Sequence, residues 1–410
     1  MTADQGDGPS GATPRAVDPG RVSRRRLYYV AGFDPASPKK YHRMFKAESA
    51  LQGALTGARY EVGELRQIDE VTSGWTVRAE HPGGARVEVD YRFLHWFDLV
   101  RAAWPKDDLG LFLGACRALK DYYASGLMAR AKAEAPAAHL ASLTPVLIGG
   151  LYLVLYALVV AVLAASGAAL AAGLGLPWAL GALPPLLLIL AAPWVWTQLD
   201  KLLHVGWLAR GMIAVTRAAR GEIPEFAERG RAFAGALAEA AREPGLDEIL
   251  VVSHSMGAQQ AGRALGRALI ADPDFARGGT PVNFLSLGSL LPFYSMTAEA
   301  DAPYREEMAA LTRADWIGWV DVTGPSDPGC AASLHPLAGL GLDELAGRPD
   351  RRSPRFHLLL TPETYRKLKR QPLEFHFHYL KAAEIPGDYD FFRLTTGPEP
   401  LTAWRREMAA

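Results

Sequence analysis

The feature that most constrains this chain is a run of 60 residues, Leu140 to Leu199, that contains no Asp, Glu, Lys, Arg or His. A helix needs about 20 apolar residues to cross the ~30 Å hydrocarbon core of a bilayer. The run therefore fits two spans and a turn, predicted near 143–165 and 176–196, with the Gly/Ala-rich segment 166–175 between them. The alternative is a very apolar hairpin in a soluble core, which is disfavoured because so long an uncharged stretch is hard to bury.

Basic residues flank the apolar run, with Arg130 and Lys132 before it and Lys201 and Arg210 after it. The predicted turn carries no charge, so the positive-inside rule places both ends of the hairpin on the cytoplasmic side. Residues 1–25 have no apolar segment of a secretory signal, and their composition is typical of a disordered tail. We therefore expect an integral protein of a bacterial inner membrane, with both termini and the catalytic domain in the cytoplasm.

The charge and cysteine content exclude several classes of function. Lys+Arg and Asp+Glu both total 44, so the chain offers no excess of basic residues for a nucleic-acid partner. Cys116 and Cys330 are the two cysteines, and they lie far apart in sequence. This pattern predicts neither a disulfide framework nor a zinc site.

Outside the apolar run, strands alternate with helices. Apolar strands are predicted at 247–255, 281–289 and 315–327, and a helix follows the first of them from Met256. Strands that are apolar on both faces and alternate with helices are typical of a mainly parallel sheet with helices on both sides. The predicted fold class is therefore α/β.

The first half of the chain is predicted to join the same domain. It begins with a strand at 27–31, a helix that starts at Ser37-Pro38, and a β-hairpin around Pro82-Gly83-Gly84. Further helices are predicted at 108–133, 201–220 and 224–243. The predicted organisation is a tail (1–25), a first part of the α/β domain (26–138), the inserted membrane hairpin (139–200) and a second part with the catalytic elements (201–410).

One short motif carries the chemistry. Ser253-His254-Ser255-Met256-Gly257 joins the predicted strand to the predicted helix, and small residues lie two positions either side of Ser255. The motif resembles the G-x-S-x-G nucleophile elbow of the α/β-hydrolase superfamily, in lipases and esterases, with Ser253 in place of the first glycine. The resemblance covers residues 26–37 and 247–390. It implies an α/β-hydrolase-like fold in which Ser255 is the nucleophile.

The resemblance also implies that an acid and then a histidine follow the serine in sequence. The segment 315–327 is a strand that ends in a loop, and Asp327 lies in that loop, past the carboxyl end of the strand, where the active sites of open α/β sheets form. Asp321, within that strand, is the alternate acid. Asp327 could instead only shape a Pro/Gly turn.

Four histidines follow the candidate acids: His335, His357, His376 and His378. We take His376 as the base, with His357 and His378 as alternates and His335 as the least favoured. If the stretch LEFHFHYL is extended, His376 and His378 point to one face. A metal on this pair is disfavoured because no third ligand has suitable spacing, so we predict no metal and no cofactor. His254, the neighbour of Ser255, is expected to have a supporting role.

Acyl transfer also needs hydrogen-bond donors for the oxyanion. By the resemblance, one is the N–H of Met256, directly after the nucleophile. The other is the N–H of Phe33 in the segment VAGFDP, which resembles the HG-type turn of the family with Ala31 where histidine is common. The adjacent Asp34 is a candidate cap of the following helix.

Two functions follow from these observations. The first is a membrane-anchored serine hydrolase that cleaves an ester or thioester, possible substrates being small molecules or lipids, through an acyl-enzyme on Ser255. The second is a hydrolase-like domain without catalysis that serves as a membrane scaffold or binds a partner protein; the departures from the motif at Ser253 and Ala31 favour it. In both, the lipid bilayer is a partner.

Overall fold

The computed structural model describes residues 21–298, 301–342 and 347–407. The described strands are β1 Arg24–Val30, β2 Arg59–Val62, β3 Arg66–Gln67, β4 Thr72–Glu80, β5 Arg86–Leu94, β6 Glu248–His254, β7 Val282–Leu287, β8 Gly318–Val322 and β9 Asp350–Arg352. The predicted tail lies outside the described residues as far as residue 20, and β1 begins two residues before the predicted start of the α/β domain.

Helices make up most of the rest of the described chain. They are α1 Pro38–Thr56, α2 Phe97–Ala103, α3 Asp108–Ala124, α4 Leu127–Glu134, α5 Pro136–Gly173, α6 Trp178–Leu203, α7 Val205–Ala219, α8 Pro224–Arg242, α9 Gly257–Ala271, α10 Leu291–Thr297, α11 Ala302–Arg313, α12 Phe356–Leu359, α13 Pro362–Leu368, α14 Pro372–Phe377, α15 Phe391–Thr396 and α16 Leu401–Glu407. A 3₁₀ turn, His378–Leu380, follows α14.

The described strands form one mixed, mostly parallel sheet in the order β2-β4-β5-β1-β6-β7-β8-β9, with β3 beside β4. From β5 to β9 all neighbours are parallel, whereas β2, β3 and β5 pair antiparallel with β4. The prediction of an α/β fold with a mainly parallel sheet is confirmed. Strands from before and after the apolar run belong to this one sheet, and β1 and β6 are direct neighbours.

The two faces of the sheet bury two separate clusters of apolar side chains. Along β6, Ile249 and Val251 pack into the cluster that involves α3, α4 and α7 to α11. Leu250 and Val252 pack into the other cluster, with α1 and the helices near the C-terminus. Because successive strand residues point to opposite faces, a strand covered on both sides must be apolar throughout. This explains the uninterrupted apolar run that precedes the serine motif.

The apolar run forms the paired helices α5 and α6, each long and apolar enough to cross a membrane. In the most apolar 18-residue stretch of each helix, only 6% and 11% of the residues are buried by the protein. This hairpin is therefore not a core element of a soluble domain. The predicted turn at 166–175 is wrong, because α5 continues through the Ala-rich segment to Gly173. Alanine favours helix, and the single glycine near the start of the segment, Gly167, weakens a helix without ending it.

Close backbone contact holds the hairpin together. A Cβ atom built on Gly167 would lie 2.1 Å from the carbonyl oxygen of Gly181, so only glycine allows this approach of α5 to α6. The Tyr152 hydroxyl, on α5, donates to the Ala192 carbonyl of α6 at 2.9 Å. Small residues at helix crossings and side-chain hydrogen bonds to backbone carbonyls are typical of helices that pair in lipid.

Both helices predicted to flank the hairpin are broken. The predicted helix 108–133 is divided into α3 and α4 at Gly126, which adopts a left-handed φ of 73°. The predicted helix 201–220 is interrupted at His204, with a φ of 54°. There Asp200 Oδ1 accepts a hydrogen bond from the Gly206 N–H at 2.5 Å and stabilises the start of α7.

Candidate active site

Ser255 lies at the turn between β6 and α9. Its φ of 57° falls in the left-handed region, which for a non-glycine residue costs on the order of 1–3 kcal/mol. The Ser255 N–H donates to the Leu287 carbonyl at the end of β7 at 2.9 Å, and the Ala258 N–H donates back to the Ser255 carbonyl at 3.1 Å. These bonds fix a sharp bend that presents the serine side chain at the carboxyl edge of the sheet.

The residues around the bend have no room for larger side chains. A Cβ atom on Gly257 would lie 2.4 Å from the carbonyl oxygens of both Val30 and Ala31. A Cβ atom on Gly32 would lie 2.8 Å from Ser255 Cβ. Ser253, which replaces the usual glycine, is fully buried in β6, and its hydroxyl has no hydrogen-bond partner among the described residues. The close packing explains why small residues are required on both sides of Ser255.

The structure brings Asp327 and His376 into direct contact. Their side chains are 0% and 2% exposed, and His376 Nδ1 lies 2.8 Å from Asp327 Oδ2. The Gly329 N–H donates to the second carboxylate oxygen at 2.8 Å. Burial acts to raise the pKa of Asp327, but the charge and hydrogen bond of His376, with the Gly329 N–H and Cys330, outweigh it and lower that pKa. Asp327 is therefore an ionised acceptor, so His376 Nδ1 carries the proton.

The other ring nitrogen of His376 is available for chemistry. His376 Nε2 is buried and has no hydrogen-bond partner in the described part of the chain. With the proton on Nδ1, a neutral imidazole has its lone pair on Nε2. The ring is held between Trp207, at a centroid distance of 5.4 Å, and His254, at 4.7 Å. An unpaired basic nitrogen in a fixed orientation is the property required of a general base.

His254 supports His376 through the backbone. Its Nε2 lies 2.8 Å from the His376 carbonyl oxygen, to which it donates its proton. Burial, and then the nearby His376, lower the pKa of His254 to about 3, so its imidazole is neutral at pH 7. The side chain thus acts as a hydrogen-bond donor that fixes the helix carrying His376.

An extended conformation at LEFHFHYL is not observed. Residues 372–380 form α14 and the following 3₁₀ turn, so His376 and His378 point in different directions. Pro372 at the first helical position favours the helix over a strand. His378 packs instead against Phe356 at 5.1 Å between centroids, and burial lowers its pKa to about 4.

The other alternates also have different surroundings. Asp321, in β8, is buried and accepts a hydrogen bond from Ser286. Burial raises the pKa of Asp321 to about 6, whereas the Ser286 hydroxyl acts in the opposite direction. His357, on α12, is exposed and lies near Tyr365. Of the candidates weighed from sequence, Asp327 and His376 are thus the acid and histidine that the structure pairs.

Ser255 and His376 line the same cavity, which has a volume of about 230 Å³. Ser255 is 8% exposed. No hydrogen bond joins Ser255 Oγ to His376 Nε2, since that nitrogen has no partner within the described residues. The two groups face one space without a hydrogen bond between them.

The two predicted oxyanion donors lie beside the serine. Phe33 lines the cavity and Met256 follows Ser255 directly. Within the described residues, neither N–H donates to a protein acceptor. Asp34 does not cap the backbone of α1; its carboxylate accepts hydrogen bonds from the Ala36 N–H, the Lys40 ammonium and the Tyr41 hydroxyl, at 2.8 to 2.9 Å. These bonds hold the loop that carries Phe33.

The far wall of the cavity was not predicted from the sequence. It is formed by residues of α7 and by the first turns of α5, including Trp207, Arg210 and Ser142. Trp104 joins them and stacks on Phe33 at a centroid distance of 5.4 Å. In the sequence, these wall residues were visible only as aromatic and basic residues beside the apolar run. Such residues are as typical of a membrane interface as of a cavity wall, so they did not predict the cavity.

Within residues 21–298, 301–342 and 347–407, no group of three or more His, Cys, Asp or Glu side chains could hold a metal ion. Comparison of the chain with protein-family models, with curated proteins and with solved structures gave no match.

Proposed function

We propose that this protein is a membrane-anchored serine hydrolase that cleaves an ester or thioester through an acyl-enzyme on Ser255. The observation that carries the proposal is the buried Asp327–His376 pair, at 2.8 Å, facing the cavity in which Ser255 stands on a strained turn. This combination of nucleophile, base and acid in the order Ser, Asp, His is what acyl transfer needs.

Ser255 is the nucleophile in this proposal. His376 Nε2 takes the proton from Ser255 Oγ as the oxygen attacks the substrate carbonyl carbon. The negative charge that develops on the carbonyl oxygen is stabilised by the N–H groups of Met256 and Phe33, which have no protein acceptor among the described residues. When the tetrahedral intermediate collapses, His376 passes the proton to the leaving alcohol or thiol.

Water completes the cycle. His376 Nε2 removes a proton from a water molecule, the water oxygen attacks the acyl carbon, and the bond to Ser255 Oγ breaks as that oxygen recovers a proton. Asp327 stabilises the imidazolium formed in both halves, since its carboxylate is buried and already ionised. Ser255 and His376 make no hydrogen bond in this structure. In the proposed mechanism this bond forms when the substrate binds, since catalytic hydrogen bonds often tighten only in the complex with substrate.

The hairpin of α5 and α6 anchors the enzyme in this proposal. Its exposed apolar side chains face lipid, and the basic residues at its base lie on the cytoplasmic side. The cavity is walled by the first turns of α5 and by α7, so it lies next to the hairpin base. This position favours an apolar or lipidic ester that reaches the site from the membrane surface.

Labelling with a fluorophosphonate probe tests the proposal. Wild-type protein in detergent should label, S255A should not, and D327A and H376A should label far more slowly. H357A is the matched control, because His357 is exposed and lies outside the cavity. Folded wild-type protein that fails to label would refute the hydrolase and favour a non-catalytic membrane scaffold.

A further inference from the structure

The cavity contains a cation that the catalytic mechanism does not use. Arg210, on α7, lines the same cavity as Ser255, and its side chain is 21% exposed. It makes no hydrogen bond to any residue that the structure describes, and its Nε is buried without a partner. A guanidinium has five N–H donors, and leaving a buried one such as Nε unpaired is unfavourable. Among the described residues, no acceptor therefore lies within hydrogen-bond distance of the Arg210 guanidinium.

The neighbours of Arg210 hold the guanidinium in place without satisfying it. Its Cζ lies 5.0 Å from the ring centroid of Trp104, the ring that also stacks on Phe33. The facing carboxylates are Asp200, whose nearest oxygen is 4.0 Å from an Arg210 NH group, and the nearby Asp108. Asp200 uses its other oxygen for the Gly206 N–H. Burial lowers the pKa of Arg210, but a guanidinium remains charged at pH 7.

The second cation of the cavity is already paired. The Lys40 ammonium donates to Asp34 Oδ2 at 2.8 Å and lies 4.4 Å from the ring centroid of Phe377. Lys40 therefore supports the loop that carries Phe33. Of these two cavity-lining cations, Arg210 is the one whose donors remain free for a ligand.

We propose that Arg210 binds a phosphate group of the substrate, so that the enzyme acts on phosphate-bearing lipid esters. The proposal rests on the proposed hydrolase for the reacting ester, and it adds the group at the other end of the ligand. A guanidinium binds phosphate through two parallel hydrogen bonds. Arg210 lies seven residues after the end of α6, at Leu203, where the phosphates of the bilayer surface are expected. Arg210 and Ser255 line one cavity, so one ligand can contact both the serine and the guanidinium.

A binding measurement on the full-length protein tests this without requiring turnover. In a neutral maltoside detergent, dodecyl phosphate and dodecanol are titrated into the protein and followed by calorimetry. Wild-type protein should prefer dodecyl phosphate. In R210Q the affinity for dodecyl phosphate should fall by about 10- to 100-fold, as expected for loss of a charge-assisted pair, while dodecanol binds as before. R210K should lie between the two, since it keeps the charge but not the paired donors.

R217Q is the matched control. Arg217 lies on the same helix, pairs with Glu222 at 3.3 Å and does not line the cavity. R217Q should bind dodecyl phosphate like wild type. Equal binding of dodecyl phosphate by R210Q and wild type would overturn the proposal, and so would equal binding by R210K and wild type if R210Q does not fold.

Inorganic phosphate distinguishes the two sources of the anion. Weak binding of inorganic phosphate, with tight binding of dodecyl phosphate, supports a lipid phosphate. If inorganic phosphate binds as tightly as dodecyl phosphate, the site recognises free phosphate and the lipid assignment is wrong. S255A should bind dodecyl phosphate normally, so loss of catalysis and loss of phosphate recognition are separate results.

Discussion

Replacing Asp327 by asparagine tests the proposed mechanism with the smallest change in shape. The carboxylate oxygen that faces His376 Nδ1 at 2.8 Å becomes neutral, or is replaced by an NH₂ group. An NH₂ group cannot accept the Nδ1 proton, so the imidazole is expected to move its proton to Nε2. His376 can then no longer take the proton of Ser255.

The size of the effect follows from the same distance. With an effective dielectric constant of about 20, unit charges 2.8 Å apart attract by about 6 kcal/mol. This attraction stabilises the imidazolium of the transition state and is lost in D327N. Since each 1.36 kcal/mol is a factor of ten in rate, we expect acylation to slow by about 10⁴-fold.

The assay is the second-order rate constant for fluorophosphonate labelling of Ser255, measured beside the melting temperature. D321N is the matched control, because Asp321 is also buried, lies on β8 and bonds to Ser286 rather than to His376. D321N should label at the wild-type rate. If D327N is folded and labels as fast as D321N, Asp327 is not the catalytic acid and the reasoning is refuted.

Two further predictions concern stability. G257A should lower the free energy of unfolding by about 3 kcal/mol, because its Cβ would lie 2.4 Å from two backbone oxygens near the end of β1. G235A, in an exposed part of α8 with open space around the glycine, should instead stabilise by about 0.5–1 kcal/mol; equal melting temperatures would contradict this. For pH, burial and His376 lower the pKa of His254 to about 3, against about 6.5 in the unfolded chain. The unfolded state then binds more protons below pH 6.5, so stability is lost as the pH falls from 6.5 towards 3, by about 3 kcal/mol at pH 4. H254Q should remove that loss in melting curves at pH 7 and pH 4, and an unchanged slope would show that His254 is not buried in its neutral form.

Local patterns in the sequence were sufficient for the elements whose causes are local. The uncharged run from Leu140 to Leu199 predicted two long apolar helices, because it contains no charged side chain that would have to be removed from water. The apolar strand before Ser255 and the small Gly257 after it predicted the strand, the bend and the helix, because packing on both faces and a tight turn depend on adjacent residues. The mostly parallel sheet followed from the same alternation of strands and helices.

The predictions failed at particular residues where one local pattern competed with another local preference or with tertiary packing. The stretch LEFHFHYL alternates like a strand, yet Pro372 starts a helix and Tyr379 and Phe375 pack into the apolar cluster on that face of the sheet. The predicted turn at 166–175 was placed at glycines, but the alanines before Gly173 continue the helix. The first error arose because periodicity alone does not say which surface a segment will cover, and the second because a glycine inside an alanine-rich segment does not by itself end a helix.

The sequence ranked His376 first among four histidines, but its contacts with Asp327 and His254 are decided by the tertiary structure. His376 meets Asp327 across 49 residues of sequence and is supported by His254 across 122, and the pattern of the sequence contains no record of these contacts. The same holds for Arg210, which was visible as a basic flank of the hairpin and becomes a cavity residue only when α7 packs beside the loop of Phe33. Local structure depends on residues that are neighbours in sequence, so the sequence predicts it. The site depends on packing that brings distant residues within 3 Å, and only the folded chain determines which residues meet.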